Sequence, residues 1–206
     1  MKKIVFAALV LFLLSGNALA ASFPDVPEDH KNHEAVEFLD FNEIINGYTD
    51  GTFKPGGLVN RAEAIKIIVG AIGIDFEGNY EVLFPDVPAD QWFFDYVMAE
   101  QKAGIVSGYQ DGKFKPADSV NLAETLKILF EAANVSLPEV TGDVFVDVPK
   151  DAWFAPYILY ARNHNIILAD DYGAVHPAQA MTRSAFAEVI FRMMIVLEND
   201  GEPFPL

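Results

Sequence analysis

"NGYTDGTFKPGGLVNRAEAIKI", from Asn46 to Ile67, returns as "SGYQDGKFKPADSVNLAETLKI", from Ser107 to Ile128. The offset is 61 residues, and it carries along the chain without gaps. "FPDVP" begins at Phe23 and Phe84, and "FVDVP" at Phe145. Gly51, Gly112 and Gly173 fall in step, as do Pro55, Pro116 and Pro177, and Val59, Val120 and Met181. The chain is therefore three copies of one unit. A unit this short buries too little surface alone, so neighbouring copies are expected to complete a shared core.

Each copy has the same internal order. A Pro-containing turn leads to Asp29, Asp90 or Asp151, placed to cap a first helix. Phe93, Tyr96 and Val97, like Phe154, Tyr157 and Ile158, have the i, i+3, i+4 spacing of a helix face. The Asp-Gly turn follows, after which Phe53 and Phe114 fold back as apolar plugs. A second helix starts at Asn60, Asn121 or Thr182. Asn60 with Glu63 and Asn121 with Glu124 have capping-box spacing, whereas Thr182 meets Ala185. The body of this helix is apolar in every copy: Ile65, Ile68, Val69 and Ile72; Leu126, Leu129, Phe130 and Ala133; Ala187, Ile190, Phe191 and Met194. These three helices are the candidate core.

The ends and the composition narrow the setting. Lys2 and Lys3, the apolar run Ile4 to Leu14 and the Ala18-Leu19-Ala20 site read as an export signal, with the mature chain starting at Ala21. An apolar run of roughly ten residues falls short of the ~20 of a spanning helix, and no later stretch approaches that length, so no membrane span is expected after cleavage. The chain divides into the signal, 1–20; copy one with its linker, 21–82; copy two with its linker, 83–143; copy three, 144–197; and a short tail, 198–206. Without Lys2 and Lys3 the chain carries 12 basic against 30 acidic residues, a formal charge of −18. Such a surface repels nucleic acid and anionic lipid. With no cysteine in an exported chain, stability has to come from packing or assembly.

"FPDVP…GYTDGTFKP…VNRAEAIKI" resembles an S-layer homology (SLH) domain, whose pattern has an aromatic-x-Asp-Val start, a Gly-Tyr-x-Asp-Gly turn and a Thr-Arg-Ala-Glu helix start. Three tandem copies are the family's usual complement. The resemblance implies a mainly α fold, three helical repeats packed as a pseudo-threefold prism with the second helices at its centre. It also implies non-covalent binding of cell-wall polysaccharide, often through acidic pyruvylated sugars, in grooves between copies. In the family, the Arg of the Thr-Arg-Ala-Glu motif helps hold the ligand carboxylate. By position that residue is Arg61 in copy one and Arg183 in copy three, but Leu122 in copy two. A physical reading agrees: a cation in the first turn of a helix opposes the macrodipole, and beside free N–H groups it suits an anion. A surface ion pair with a nearby carboxylate is the other use open to it.

The remaining candidates are Gly47, Tyr48, Asn60 and Glu63 of copy one, Gly108 and Tyr109 of copy two, and Trp92 and Trp153. Tyr48 and Tyr109 serve sugar stacking or turn packing equally well; for Trp92 and Trp153 packing is the expectation. Lys31 takes the Trp position in copy one, and copy three replaces the Gly-Tyr turn with Ala169-Asp170. No copy holds the full set, and copy one comes nearest. One or two working grooves are therefore expected, not three.

Nothing points to catalysis, a cofactor or a metal. There is no Cys nucleophile and no G-x-S-x-G motif. His30 and His33 with Asp29 and Glu34 are unrepeated and fit a solvated helix start. An EF-hand alignment on Gly51 puts Asn46, Tyr48 and Gly57 where acids are required. The expected function is a non-catalytic, exported cell-surface protein that binds an acidic wall polysaccharide. The alternative is a structural or assembly module that contacts other surface-layer proteins and whose sugar binding has decayed. The early stop after copy three, with no cargo domain in view, raises that alternative without displacing the first.

Overall fold

The computed structural model describes residues 23–74 and 80–206. The signal read at 1–20, the start at Ala21 and positions 75–79 of the first linker lie outside the described residues. Six helices, two per copy, make up the described fold: α1 His33–Phe41, α2 Arg61–Ile72, α3 Phe94–Lys102, α4 Leu122–Ala132, α5 Ala155–Asn163 and α6 Arg183–Glu198. The rest is turns and four isolated β-bridges.

The second helices start where the capping residues stand. Asn60 Oδ1 accepts from Glu63 N at 2.9 Å, while the Glu63 carboxylate accepts from Asn60 N at 3.1 Å. Asn121 and Glu124 repeat both bonds, and Thr182 accepts from Ala185 N alone. The first helices start differently. Asn32, Phe93 and Phe154 hold their N-cap positions without any side-chain cap, and Asp29, Asp90 and Asp151 stay exposed in the preceding turn. Those turns close on backbone bonds instead, such as His33 N to His30 O. The buried face of α3 is Phe94, Val97 and Met98, one step round from the expected stripe, and Phe93 and Tyr96 are only half-buried.

The acid that matters at the start of each copy is the one inside "DVP". Asp25 Oδ1 accepts Phe53 N at 2.8 Å and its Oδ2 accepts Lys54 N at 2.7 Å. Asp86 holds Phe114 N and Lys115 N in the same way, and Asp147 holds Val175 N and His176 N. Each carboxylate thus pins a turn 28 residues downstream whose Lys54, Lys115 or His176 adopts a left-handed backbone, φ 53–60°. The plugs Phe53 and Phe114 are fully buried behind it, against Phe23 and Phe84.

The copies close into a ring, head to tail. Val59 N donates to Met181 O, Met181 N to Val120 O, and Val120 N to Val59 O, a three-membered backbone cycle of buried residues. Around it, each second helix has its first N–H groups satisfied by carbonyls of the next copy's turn. Arg61 N and Ala62 N donate to Asp118 O and Pro116 O, Leu122 N and Ala123 N to Gln179 O and Pro177 O, and Arg183 N and Ser184 N to Gly57 O and Pro55 O. The N–H groups beside both arginines are therefore taken, contrary to the expectation of free donors. Helix α2 packs on α4 and α6 at the centre, and each first helix packs on the second helix of the preceding copy: α3 on α2, α5 on α4, α1 on α6. The pseudo-threefold arrangement with central second helices is what the apolar bodies of those helices require, since burial on nearly all sides needs neighbours on nearly all sides.

Candidate functional site

The head-to-tail ring carries each arginine out of its own copy. Arg61 leaves copy one: its Nε donates to Phe114 O at 3.0 Å, and its guanidinium lies over the Phe114 and Tyr109 rings at 4.7 and 4.9 Å. Arg183 leaves copy three for copy one, with Nε to Phe53 O at 2.8 Å, a second bond to Asn46 O at 3.0 Å, and the Phe53 and Tyr48 rings at 4.5 and 5.0 Å. Both are buried, 6% and 8% exposed, and neither forms an ion pair among the described residues. The ion-pair use left open above is not the one adopted. A buried guanidinium that spends only one or two N–H groups on carbonyls keeps the others for an acceptor, and an anion is the strongest one.

The tyrosines are partners of these cations. Over the Tyr48 ring lie Arg183 from another copy and Lys54 Nζ from its own, at 4.0 Å; over Tyr109 lie Arg61 and Lys115 Nζ, at 4.3 Å. Two cations per ring take up the π surface, so the phenols position the arginines. Tyr109 Oη also donates to Glu124 Oε1 at 3.3 Å. Burial and the Glu124 carboxylate push its phenol up, although Arg61 pulls the other way. The indoles behave oppositely. Trp92 and Trp153 are 55% and 56% exposed, touching Phe93 and Tyr96, or Phe154 and Tyr157, edge-on. They are not core residues, and a broad face of each meets solvent.

Gly47 and Gly108 serve the loop itself. A Cβ on Gly47 would run into the Phe23 ring, and one on Gly108 would sit 2.6 Å from Phe84 Cε1 and 2.9 Å from Lys113 O. Copy three carries Ala169 at this place, and its Phe145 is correspondingly only part-buried.

These groups meet in a groove. Asn46, Gly47, Tyr48, Glu63, Lys66, Trp92 and Arg183 line one of about 220 Å³, so all three copies contribute to it. Lys66 Nζ lies 5.9 Å from the Trp92 ring. Advancing every position by 61 places around the ring gives Ser107, Gly108, Tyr109, Glu124, Lys127, Trp153 and Arg61, a second set of the same chemistry. A second advance gives Leu168, Ala169, Asp170, Ala185, Glu188, Lys31 and Leu122: no arginine, no tyrosine, no tryptophan, and a carboxylate where the lysine stood. There Glu188 accepts from Asn32 Nδ2 at 3.1 Å and Arg192 Nε at 2.7 Å. Arg192 also bonds Asn165 O and lies over Phe204 of the tail. The third joint is a clasp.

Two full sets thus exist although no copy contains one. Judging each copy separately hid this, because the arginine, the tyrosine and the tryptophan of a set come from three different copies. Lys66 and Lys127, and the clamps Asp25, Asp86 and Asp147, were not singled out from the sequence. Their signal was present: the lysine changes to Glu188 in step with the arginine's change to Leu122, and the aspartate stays the same in all three copies. Among the described residues no cluster is placed to hold a metal, and no helix is long and apolar enough to cross a membrane.

Comparison with known proteins agrees with the repeat. Residues 22–65, 83–126 and 144–187 each match the S-layer homology domain. The chain is 32% identical over 177 residues to the surface-layer 125 kDa protein of Lysinibacillus sphaericus, covering 82% of this chain and 14% of that one. It is 31% identical over 139 residues to the S-layer protein EA1 of Bacillus anthracis, covering 67% and 16%. Against the exoglucanase XynX of Acetivibrio thermocellus it is 27% identical over 181 residues, covering 85% and 16%. The chain thus spans about a seventh of the length of the curated relatives it matches.

Proposed function

Because this chain belongs to the S-layer homology domain family, which places it with exported proteins of the cell surface, we propose that it is a non-catalytic module that holds an acidic cell-wall polysaccharide in two of its three inter-copy grooves. One observation carries the reading: two buried guanidiniums without a carboxylate partner among the described residues, each delivered by one copy into the tyrosine loop of another. A sugar carboxylate, such as that of a pyruvylated unit, accepts the unspent N–H groups of Arg61 or Arg183. The exposed faces of Trp92 and Trp153 match the apolar face of a pyranose. Lys66 and Lys127 add local positive charge to a surface that is otherwise strongly acidic.

The assembly reading applies at the third joint, where Glu188, Asn32 and Arg192 bind the protein to itself. Contacts with other surface-layer proteins are not required by the two grooves. The catalytic name of one relative belongs to that protein.

The test is co-sedimentation of residues 21–206 with cell-wall sacculi, before and after the wall polysaccharide is chemically stripped. We expect wild type to bind intact sacculi only, the folded Arg61→Ala/Arg183→Ala double variant to lose binding, and added salt to weaken it by screening the cationic spots. Binding that survives the double substitution, or is indifferent to salt, would refute the carboxylate clamp. Absence of wild-type binding would leave assembly as the function.

A further inference from the structure

Helix α3 carries a carboxylate in the interior of the protein. Glu100 is 0% exposed, and neither carboxylate oxygen has a hydrogen-bond partner among the described residues. The same place is Leu39 in α1 and Ala161 in α5, both fully buried, so the fold asks for an apolar residue there. Glu100 lies in the last turn of α3, and its carbonyl accepts Ile105 N at 2.9 Å as the chain turns away. The negative end of a helix is a poor place for a carboxylate charge.

Among the described residues no neighbouring charge compensates. Helix α2, packed on α3, carries Arg61, Glu63 and Lys66. Arg61 is turned to Phe114 and Tyr109, Glu63 is bonded to the Asn60 backbone, and Lys66 lies by Trp92. Asp95, Tyr96 and Lys102 of α3, and Glu124, Lys127 and Glu131 of α4 in the same copy, give the Glu100 oxygens no hydrogen bond either. Burial is the cause at work, and it pushes the carboxyl up to about 8.

We propose that Glu100 is a proton-operated weak point in the joint between copies one and two: protonated, it lets α3 seat against α2, and ionised, it loosens that contact and the groove that Lys66 and Trp92 line. The groove's ligand rests on the function proposed above; the weak point itself does not. The unfolded chain holds this carboxyl near 4.5, so the contribution of Glu100 to stability is fully present below that pH. It is lost as the pH rises toward 8, because ionisation then favours the unfolded chain. The Arg61 groove lacks this response, since α5 beside Trp153 has Ala161.

Both readouts use the ligand-free protein. In thermal unfolding, wild type loses on the order of 10 °C between about pH 5 and about pH 9, while Glu100→Gln and Glu100→Leu lose little. The protein has two tryptophans, so Trp153→Phe leaves Trp92 as the reporter of its groove. Its emission shifts over that pH range, Glu100→Gln abolishes the shift, and Trp153 in a Trp92→Phe chain stays constant. A pH response of Tm and of Trp92 emission that is unchanged by both Glu100 variants would overturn the proposal. Failure of wall binding would overturn the function and leave this result standing.

Discussion

At the residue scale, the aspartates of "DVP" do the most with the least. Each of Asp25, Asp86 and Asp147 takes two backbone N–H groups of a turn, the second from a residue that sits in the left-handed region. Two charge-assisted bonds to one carboxylate hold a conformation that the chain otherwise avoids. We expect Asp86→Ala to cost about 2–4 kcal/mol in denaturant unfolding, and Asp86→Asn, which keeps an oxygen acceptor, about half of that. For Asp25, burial raises the carboxyl but the Phe53 and Lys54 N–H groups outweigh it and hold it below 3.8. Its contribution is therefore complete above about pH 4 and is lost as the pH falls further. This clamp was legible as an unvarying letter in three copies, yet the letter does not say which N–H groups it meets. They lie 28 and 29 residues away, and only the closed fold brings them near.

At the element scale, the second helices were legible almost to the residue. Capping chemistry is local: an Asn or Thr side chain and an acid three places on bond within one turn, so four letters suffice to mark the start. Asn121→Ala is expected to cost about 1 kcal/mol, and Thr182→Ala, which has no reciprocal partner, less; urea midpoints at constant slope would check the order. The first helices were placed one step out of phase because they lack such a cap. Their start is set by backbone turns and by packing against the preceding copy. The tryptophans were misjudged for the same reason: an aromatic at a helix start looks like a core residue until the neighbouring helix is known. Trp92 stands beside Lys66 of another copy, at the mouth of a groove.

At the scale of the whole molecule, the cycle through Val59, Val120 and Met181 makes each copy depend on both others. Without copy three, Val59 N loses Met181 O, α1 loses α6, and the start of α4 loses the carbonyls of Pro177 and Gln179. Residues 21–143 alone are expected to melt without a cooperative transition, while the three-copy chain unfolds in one step by circular dichroism. A two-copy fragment as stable and as cooperative as the whole would contradict this dependence. The ring also explains the uneven copies. A substitution such as Leu122 changes a groove that lies against copy three, and its companions Asp170, Glu188 and Lys31 sit in copies three and one. The copies look irregular, but the residue sets at the joints follow a rule: two are complete and the third is replaced by a clasp.

The sequence by itself determined the three-copy plan, the 61-residue period, the two helices per copy, the capped starts of the second helices and their apolar bodies. It also determined the residues that carry the family resemblance. All of these depend on spacing within a few turns of chain, where geometry follows directly from residue order. Only the tertiary structure decided which arginine meets which tyrosine, that the helix-start N–H groups are already taken, that the tryptophans are exposed, and that Glu100 is buried without a partner among the described residues. Those facts depend on how a head-to-tail ring closes. Closure pairs residues up to 156 positions apart, as in the bond from Asn32 to Glu188, and local spacing carries no information about such pairs.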